Sequence, residues 1–159
     1  MERVVEEIMP LCRAHYGVSD RRELIAFGGA SFSGVCALYA AMHYSHVFGQ
    51  ILAESPSLWI AEGKFLEDMR GHGGEWASRI FLGCGTKEYS ATRDHDWNEI
   101  DQLLVRYCEE ASRLMHDKGV HIGNRQMFQV ETGAGHHEGA WGYRLTGSLT
   151  WLLESWWRA

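Results

Sequence analysis

One serine of this sequence lies where a side chain can act as a nucleophile. Ser31 belongs to the segment GGASFSG, which follows the apolar run LIAF and precedes the helical run from Val35 to Met42. A strand, a tight glycine turn and a helix form the context in which a serine hydroxyl becomes exposed and reactive. A helix beginning at Phe32 would place its N-terminal amides beside the developing negative charge. By itself the segment also fits a purely structural turn, because glycine-rich turns of this kind are common.

An acid and a base follow two later apolar runs. Glu88 comes shortly after the run at 79–85, and His136 comes shortly after the run at 126–131. Because the carboxyl ends of parallel strands meet at one edge of a sheet, we expect Ser31, Glu88 and His136 to share that edge. His136 would accept the serine proton, and Glu88 would orient the imidazole and stabilise its charged form. The joint placement favours a catalytic triad over unrelated structural roles for the three residues.

A parallel sheet is needed to hold these residues together, and the pattern of the chain predicts one. The predicted strands lie at 23–29, 49–54, 79–85 and 126–131, and the predicted helices at 3–15, 32–45, 61–70, 95–118 and 140–157. Strands that alternate with helices are typical of parallel sheets with right-handed crossovers. We therefore expect a single α/β domain over residues 1–159, with about four parallel strands and flanking helices in three layers.

Three segments resemble a known family. They are GGASFSGVCALYAAMHYSHVFGQILAESPSLW, FLGCGTKEY and GAGHHEGAW. Together they resemble the esterase family of the α/β hydrolases, which includes enterochelin (ferric siderophore) esterases, S-formylglutathione hydrolases and mycolyltransferases. The iron-siderophore branch is the most similar, with patterns that run like G-x-S-x-G-G, S-P-S-x-W, G-x-x-E and G-G-H-x-x-x-x-W. The resemblance covers nearly the whole chain and implies a minimal or truncated α/β-hydrolase fold.

The resemblance also implies a role for each candidate residue. Ser31 would be the nucleophile, Glu88 the acid and His136 the base, in the chain order that α/β-hydrolase triads follow. His136 and Trp141 keep the five-residue spacing of the family, and this spacing favours His136 over His137 as the base.

Two further residues are placed at the substrate by the same resemblance. The Phe32 amide would be one oxyanion donor, and Trp59 would lie beside the acyl or ligand pocket. Ser33 stands where the family has glycine, and the first half of the family fold has no counterpart in the chain. That half carries the second oxyanion amide, and losing one such donor typically costs about 10²–10³ in rate. We therefore expect the chain to form the C-terminal half of the usual fold. When isolated, it should hydrolyse esters slowly.

The first predicted strand would lack a neighbour on one side. An apolar strand edge with unpaired backbone groups favours pairing with another chain. The last helix alone would cover one face of the sheet, and exposed apolar area of that size usually marks an interface. We expect a homodimer, or a separate chain that covers the edge at residues 23–29.

Composition excludes several classes of function. The 159 residues are 45% hydrophobic and 23% charged, as in ordinary globular domains. A formal net charge of −6 without a basic stripe disfavours nucleic-acid binding. No apolar run approaches the roughly 18 residues of a membrane span, and the N-terminus shows no signal-peptide core. Four widely spaced cysteines predict buried, reduced thiols in a cytoplasmic protein and no zinc site: Cys12, Cys36, Cys84 and Cys108.

Two polar clusters leave alternatives open, although no metal or other cofactor is expected. The segment Asp94-His95-Asp96 could bind a metal, but it precedes a helix and is better explained as its cap. Asp94 and Asp96 also remain candidates for the triad acid. The HHE segment at 136–138 could bind a metal too, but adjacent side chains point apart.

The sequence therefore predicts a serine hydrolase of the carboxylesterase type, which cleaves small esters through an acyl-enzyme on Ser31. Two alternatives stay open. One is a remnant that keeps the triad but acts in binding or assembly. The other is an acyltransferase, which passes the acyl group to an acceptor other than water.

Overall fold

Four parallel strands form one sheet in the computed structural model, which describes residues 1–90, 98–154 and 156. The strands are β1 (Ala26–Ala30), β2 (Gln50–Glu54), β3 (Arg79–Gly85) and β4 (Gln126–Glu131), and they are ordered β1-β2-β3-β4. In the register, Ala30 lies opposite Glu54, and Glu54 lies opposite Gly83. The predicted parallel sheet is confirmed, and the carboxyl ends of all four strands meet at one edge.

Helices precede the first strand and follow every strand. They are α1 (Met9–Tyr16), α2 (Phe32–His43), α3 (Lys64–Gly71), α4 (Asn98–Asp117) and α5 (Glu138–Leu152). A π-helical turn at Val4–Ile8 leads into α1. Pro10, which has no N–H to donate, follows this π-helical turn, and the Met9 N–H before it donates to the Val4 carbonyl. None of the described helices is long and apolar enough to cross a membrane.

Alternate side chains of β3 divide between the two faces of the sheet. Ile80, Leu82 and Cys84 belong to the main core, together with buried residues of α2, α3 and α4. Phe81 is also fully buried, but the alternation of the strand turns it toward the opposite face. There α5 packs against β2 and β3. The three-layer arrangement predicted for the sheet and its helices is therefore present.

The first strand begins later than predicted. Residues Arg22–Leu24 form a 3₁₀ turn, and β1 begins at Ala26. The Arg22 guanidinium holds this turn, because it donates to the Ser45 carbonyl (2.7 Å) and the Ser78 hydroxyl (3.0 Å). The unpaired sheet edge predicted at 23–29 therefore lies at Ala26–Ala30.

Two other predictions need correction. The last helix ends at Leu152 rather than at residue 157. Cys84 and Cys108 are buried free thiols, but Cys12 is half-buried and Cys36 is exposed on α2, so the prediction of buried thiols is wrong for these two. The Asp94-His95-Asp96 segment, with its metal, cap and triad-acid alternatives, lies outside the described residues.

Candidate active site

Ser31 lies in a strained turn between β1 and α2. Its backbone has φ 59° and ψ −122°, a left-handed conformation that side-chain-bearing residues rarely adopt. The Ser31 N–H donates to the Glu54 carbonyl (2.9 Å), and the Ser31 carbonyl accepts from Gly34 (3.0 Å). The turn therefore fixes the serine at the carboxyl edge of the sheet, directly before the first helical residue, Phe32.

The tightness of this turn explains why a glycine stands at position 29. A Cβ atom on Gly29 would collide with the Cβ and the backbone of Ser33. Ser33 itself is exposed, and it fits where the family has glycine because Gly29 has no side chain. The departure at position 33 thus leaves the shape of the turn intact.

Glu88 and His136 are joined by a direct hydrogen bond. The Nδ1 atom of His136 lies 2.6 Å from Oε2 of Glu88, whose side chain is fully buried. The His136 N–H also donates to the Glu88 carbonyl (2.9 Å). Gly85 permits this approach of the two loops, because a Cβ atom there would collide with the Ala134 carbonyl. The acid and the base predicted from the sequence are therefore in contact.

The second oxygen of Glu88 is held by residues at the ends of the strands. Its Oε1 atom accepts from the Ser55 hydroxyl (2.7 Å) and from the Gly85 N–H. The Ser55 oxygen in turn lies 3.1 Å from Trp141 Nε1 and 3.3 Å from an Arg144 nitrogen. Both oxygens of the carboxylate are thus engaged before any substrate binds.

A buried cation lies beneath this network. The Arg144 guanidinium donates to Oε2 of Glu54 (2.9 Å) and to Oε2 of Glu131 (2.7 Å). Burial raises the pKa of Glu54 to about 7, although Arg144 partly offsets this shift. The Oε1 atom of Glu54 is buried without a hydrogen-bond partner among the described residues. Arg144 therefore compensates carboxylates that the sheet edge would otherwise bury unpaired.

The Ser31 hydroxyl is bonded to another serine rather than to the histidine. Its oxygen lies 3.1 Å from the Ser57 hydroxyl oxygen. Within the described residues, no hydrogen bond joins Ser31 to His136. The structure thus brings Glu88 and His136 together directly and leaves Ser31 at the same edge with a different partner.

Aromatic rings surround the histidine. Tyr89 stacks on His136 with ring centroids 5.3 Å apart, and Trp141 meets it edge-on at 5.1 Å. Trp59 contacts Tyr89 edge-on at 6.2 Å, so one ring separates Trp59 from His136. Trp59 is half-buried, and its indole nitrogen has no hydrogen-bond partner among the described residues.

Phe32, whose amide the family resemblance makes a candidate oxyanion donor, is the first residue of α2. The first N–H groups of a helix have no intrahelical partners, and the positive end of the helix dipole lies there. The Phe32 side chain is 66% exposed and borders a pocket of about 240 Å³. Val35, Ser57, Ile60 and Phe65 also line this mainly apolar pocket. Ser57, whose hydroxyl contacts that of Ser31, is therefore part of the wall of this pocket.

A larger apolar groove follows the unpaired edge of the sheet. Its volume is about 470 Å³, and it lies between β1 and α5. Phe27, Leu52, Leu145 and Leu149 line it, together with backbone of the β1 glycines. The groove is the exposed apolar surface that the sequence predicts beside the first strand.

No group of three or more metal-binding side chains occurs in the described part of the chain. The HHE segment at 136–138 has other contacts. His136 bonds Glu88 through Nδ1, whereas Nδ1 of His137 accepts the Ala140 N–H (3.3 Å) and caps α5.

Sequence reasoning missed the contacts of Ser55, Ser57 and Arg144. Ser55 and Ser57 directly follow β2, so the rule that selected Glu88 at a strand end could also have found them. The signal for Arg144 is weaker, since it is a single cation within the generally apolar last helix.

Comparisons with known proteins agree on one family. The family model described as "Putative esterase" matches residues 2–152. The iron(III) enterobactin esterase of Escherichia coli K12 is 36% identical over 92 residues, which are 54% of this chain and 23% of that protein. The chain therefore spans about a quarter of this relative's length.

Solved structures show the same architecture. The enterobactin esterase FES from Shigella flexneri, determined in the presence of 2,3-dihydroxy-N-benzoyl-glycine, is 25% identical with a TM-score of 0.77. The alignment covers 97% of this chain and 38% of that one. The siderophore hydrolase EstB from Aspergillus nidulans is 18% identical with a TM-score of 0.70, over 93% of this chain and 55% of that one. The likeness to EstB concerns the fold alone.

Proposed function

Because this chain belongs to the esterase family that its residues 2–152 match, we propose that it hydrolyses small carboxylic esters through an acyl-enzyme on Ser31. The observation that carries the proposal is the 2.6 Å hydrogen bond between Glu88 and His136 at the sheet edge that also holds the strained Ser31 turn. A nucleophile, a base and a group that orients the base are the parts that such catalysis needs.

In the proposed reaction, the Ser31 oxygen attacks the ester carbonyl carbon while Nε2 of His136 takes the hydroxyl proton. Glu88 holds the Nδ1 proton and stabilises the imidazolium. His136 then donates its proton to the departing alcohol, and an acyl-enzyme remains. Water attacks this ester with His136 as the base, which releases the acid and restores Ser31.

This reaction requires the Ser31 hydroxyl to leave Ser57 and turn toward His136. Catalytic hydrogen bonds are often long or absent in unliganded enzymes and form when substrate binds. Since the Ser57 contact involves two hydroxyl groups and no charge, no ion pair has to break for the Ser31 hydroxyl to change partner.

The oxyanion that forms during attack would accept from the Phe32 amide at the start of α2. A second donor would come from outside the described residues. We further propose that a second copy of this chain, or a separate chain, covers the β1 edge and the adjoining groove, since β2 is the strand that pairs with β1 among the described residues and the other edge of β1 is unpaired.

A fluorophosphonate probe tests the proposed nucleophile. We expect the probe to label the purified protein at Ser31 and to abolish the hydrolysis of p-nitrophenyl acetate and butyrate. Ser31→Ala should be neither labelled nor active. Ser33→Ala, which alters an exposed serine in the same turn, should still be labelled.

Two outcomes would count against the proposal. If neither labelling nor turnover exceeds that of Ser31→Ala, the chain is not an esterase by itself, and the binding or assembly alternative applies. If labelling occurs but an added alcohol receives the acyl group in preference to water, the protein is an acyltransferase.

A further inference from the structure

Ser55, the residue that directly follows β2, lies where it can control the Glu88 carboxylate. It is fully buried, and its hydroxyl lies 2.7 Å from Oε1 of Glu88. We propose that Ser55 is a positioning residue, which fixes Glu88 and through it the His136 ring; this inference rests on the proposed function. Within the described residues, no hydrogen bond joins the side chains of Ser55 and Ser31.

The direction of the Ser55 hydroxyl is determined by its partners. Trp141 Nε1 and the Arg144 guanidinium both lie within hydrogen-bond distance of the Ser55 oxygen, at 3.1 and 3.3 Å. Indole and guanidinium nitrogens can only donate, so they occupy the two acceptor sites of the hydroxyl. The single hydrogen of Ser55 must therefore point to Oε1 of Glu88.

This fixed donor restricts the rotation of the carboxylate. Oε1 accepts from Ser55 and from the Gly85 N–H, which leaves Oε2 to face His136 Nδ1 at 2.6 Å. A rotated Glu88 would lose these bonds together. With Nδ1–H of His136 held in this way, Nε2 is the nitrogen left free to act as the base.

The backbone at Ser55 favours the same interpretation. Its φ of 42° is in the left-handed region, where glycine is more easily accommodated than serine. The Ser55 N–H donates to the Gly83 carbonyl (2.7 Å) and holds this conformation. Backbone requirements alone would favour glycine here, so the hydroxyl is the feature that a serine adds.

Two variants remove the hydroxyl with different consequences for the backbone. Ser55→Ala keeps the strained backbone conformation. Ser55→Gly relaxes it and should fold at least as well as Ser55→Ala. We expect each to lower kcat about 10- to 100-fold, as expected for one hydrogen bond to a charged group, with KM unchanged. Ser148→Ala, which removes a buried hydroxyl bonded to the Leu145 carbonyl of α5, is the matched control and should keep the wild-type kcat.

Proton NMR of the protein without substrate separates positioning from a general structural effect. The Nδ1 proton of His136 should give a far-downfield signal, assigned by its loss in His136→Gln. We expect Ser55→Ala and Ser55→Gly to move this signal or to speed its exchange, and Ser148→Ala to leave it in place.

An unchanged signal in a folded Ser55→Gly protein, or an unchanged kcat, would overturn the positioning role. If the wild type shows no esterase activity, the proposed function fails. The NMR comparison still tests whether Ser55 orients the Glu88–His136 pair.

Discussion

At the scale of single residues, adjacent histidines have different contacts. His136 bonds the buried Glu88 carboxylate, whereas His137 caps the first turn of α5. The family spacing relative to Trp141 favours His136 as the base, and His136 is the one of the two histidines that contacts the candidate acid. The distinction can be measured, because each residue can be replaced without the other.

We expect His136→Gln to lower kcat/KM for p-nitrophenyl butyrate by about 10²–10⁴-fold, since it removes the proposed base. His137→Gln should retain activity and lose only about 1 kcal/mol of stability through its cap. Steady-state kinetics and urea unfolding of both variants test this. Equal loss of activity in the two would contradict the proposed role of His136.

At the scale of elements, the turn between β1 and α2 depends on the lack of a side chain at Gly29. Gly29 leaves the space that Ser33 occupies, and this lets α2 begin directly after Ser31. The nucleophile is therefore held by the fit between a strand and the first turn of a helix, so a small change in that fit should be felt at Ser31.

We expect Gly29→Ala to destabilise the protein by about 1–3 kcal/mol, because the added methyl group overfills the turn. Fluorophosphonate labelling of the folded fraction should also slow. Gly147→Ala is the matched control, since Gly147 lies in α5 with open space around its Cα and alanine favours helix. Should the two variants unfold at the same urea concentration, the turn is less constrained than its geometry indicates.

The end of β2 predicts a pH dependence of stability. Burial raises the pKa of Glu54 from 4.5 to about 7, so the folded protein holds this proton more tightly than the unfolded chain does. Stability should therefore fall as pH rises from 4.5 through about 7. Glu54→Gln should remove on the order of 1–3 kcal/mol of this loss. Urea unfolding across that range measures it, and parallel curves for the two proteins would refute it.

At the scale of the whole molecule, helices cover one face of the sheet more completely than the other. Helices α2, α3 and α4 cover one face, whereas α5 leaves a groove beside β1 on the other. Parallel strands buried on both faces are the rule in α/β proteins. Among the described strands β1 pairs with β2, and its other edge is unpaired beside this groove.

We expect the purified chain to self-associate at micromolar concentration, or to bind a separate chain at this edge. Ala26→Lys, which adds a charge to an exposed position of β1, should weaken the association. Sedimentation velocity over a range of concentrations measures it. A monodisperse monomer would exclude the homodimer, and an unaltered association of Ala26→Lys would place the interface elsewhere.

The sequence by itself determined the parallel sheet and the positions of Ser31, Glu88 and His136 near strand ends. Local signals are sufficient for this, because hydrophobic periodicity and glycine turns locate strands, and parallel topology brings their carboxyl ends together. Family resemblance added the expected roles of these residues.

Only the tertiary structure decided which side chains meet. Ser31 bonds Ser57, and the Ser55 hydroxyl points to Glu88 because Trp141 and Arg144, from a helix near the chain's end, occupy its acceptor sites. Ser55 and Arg144 are 89 residues apart, so no local pattern records their contact. Such contacts depend on how α5 packs across the sheet, and packing is a property of the folded chain rather than of any one segment.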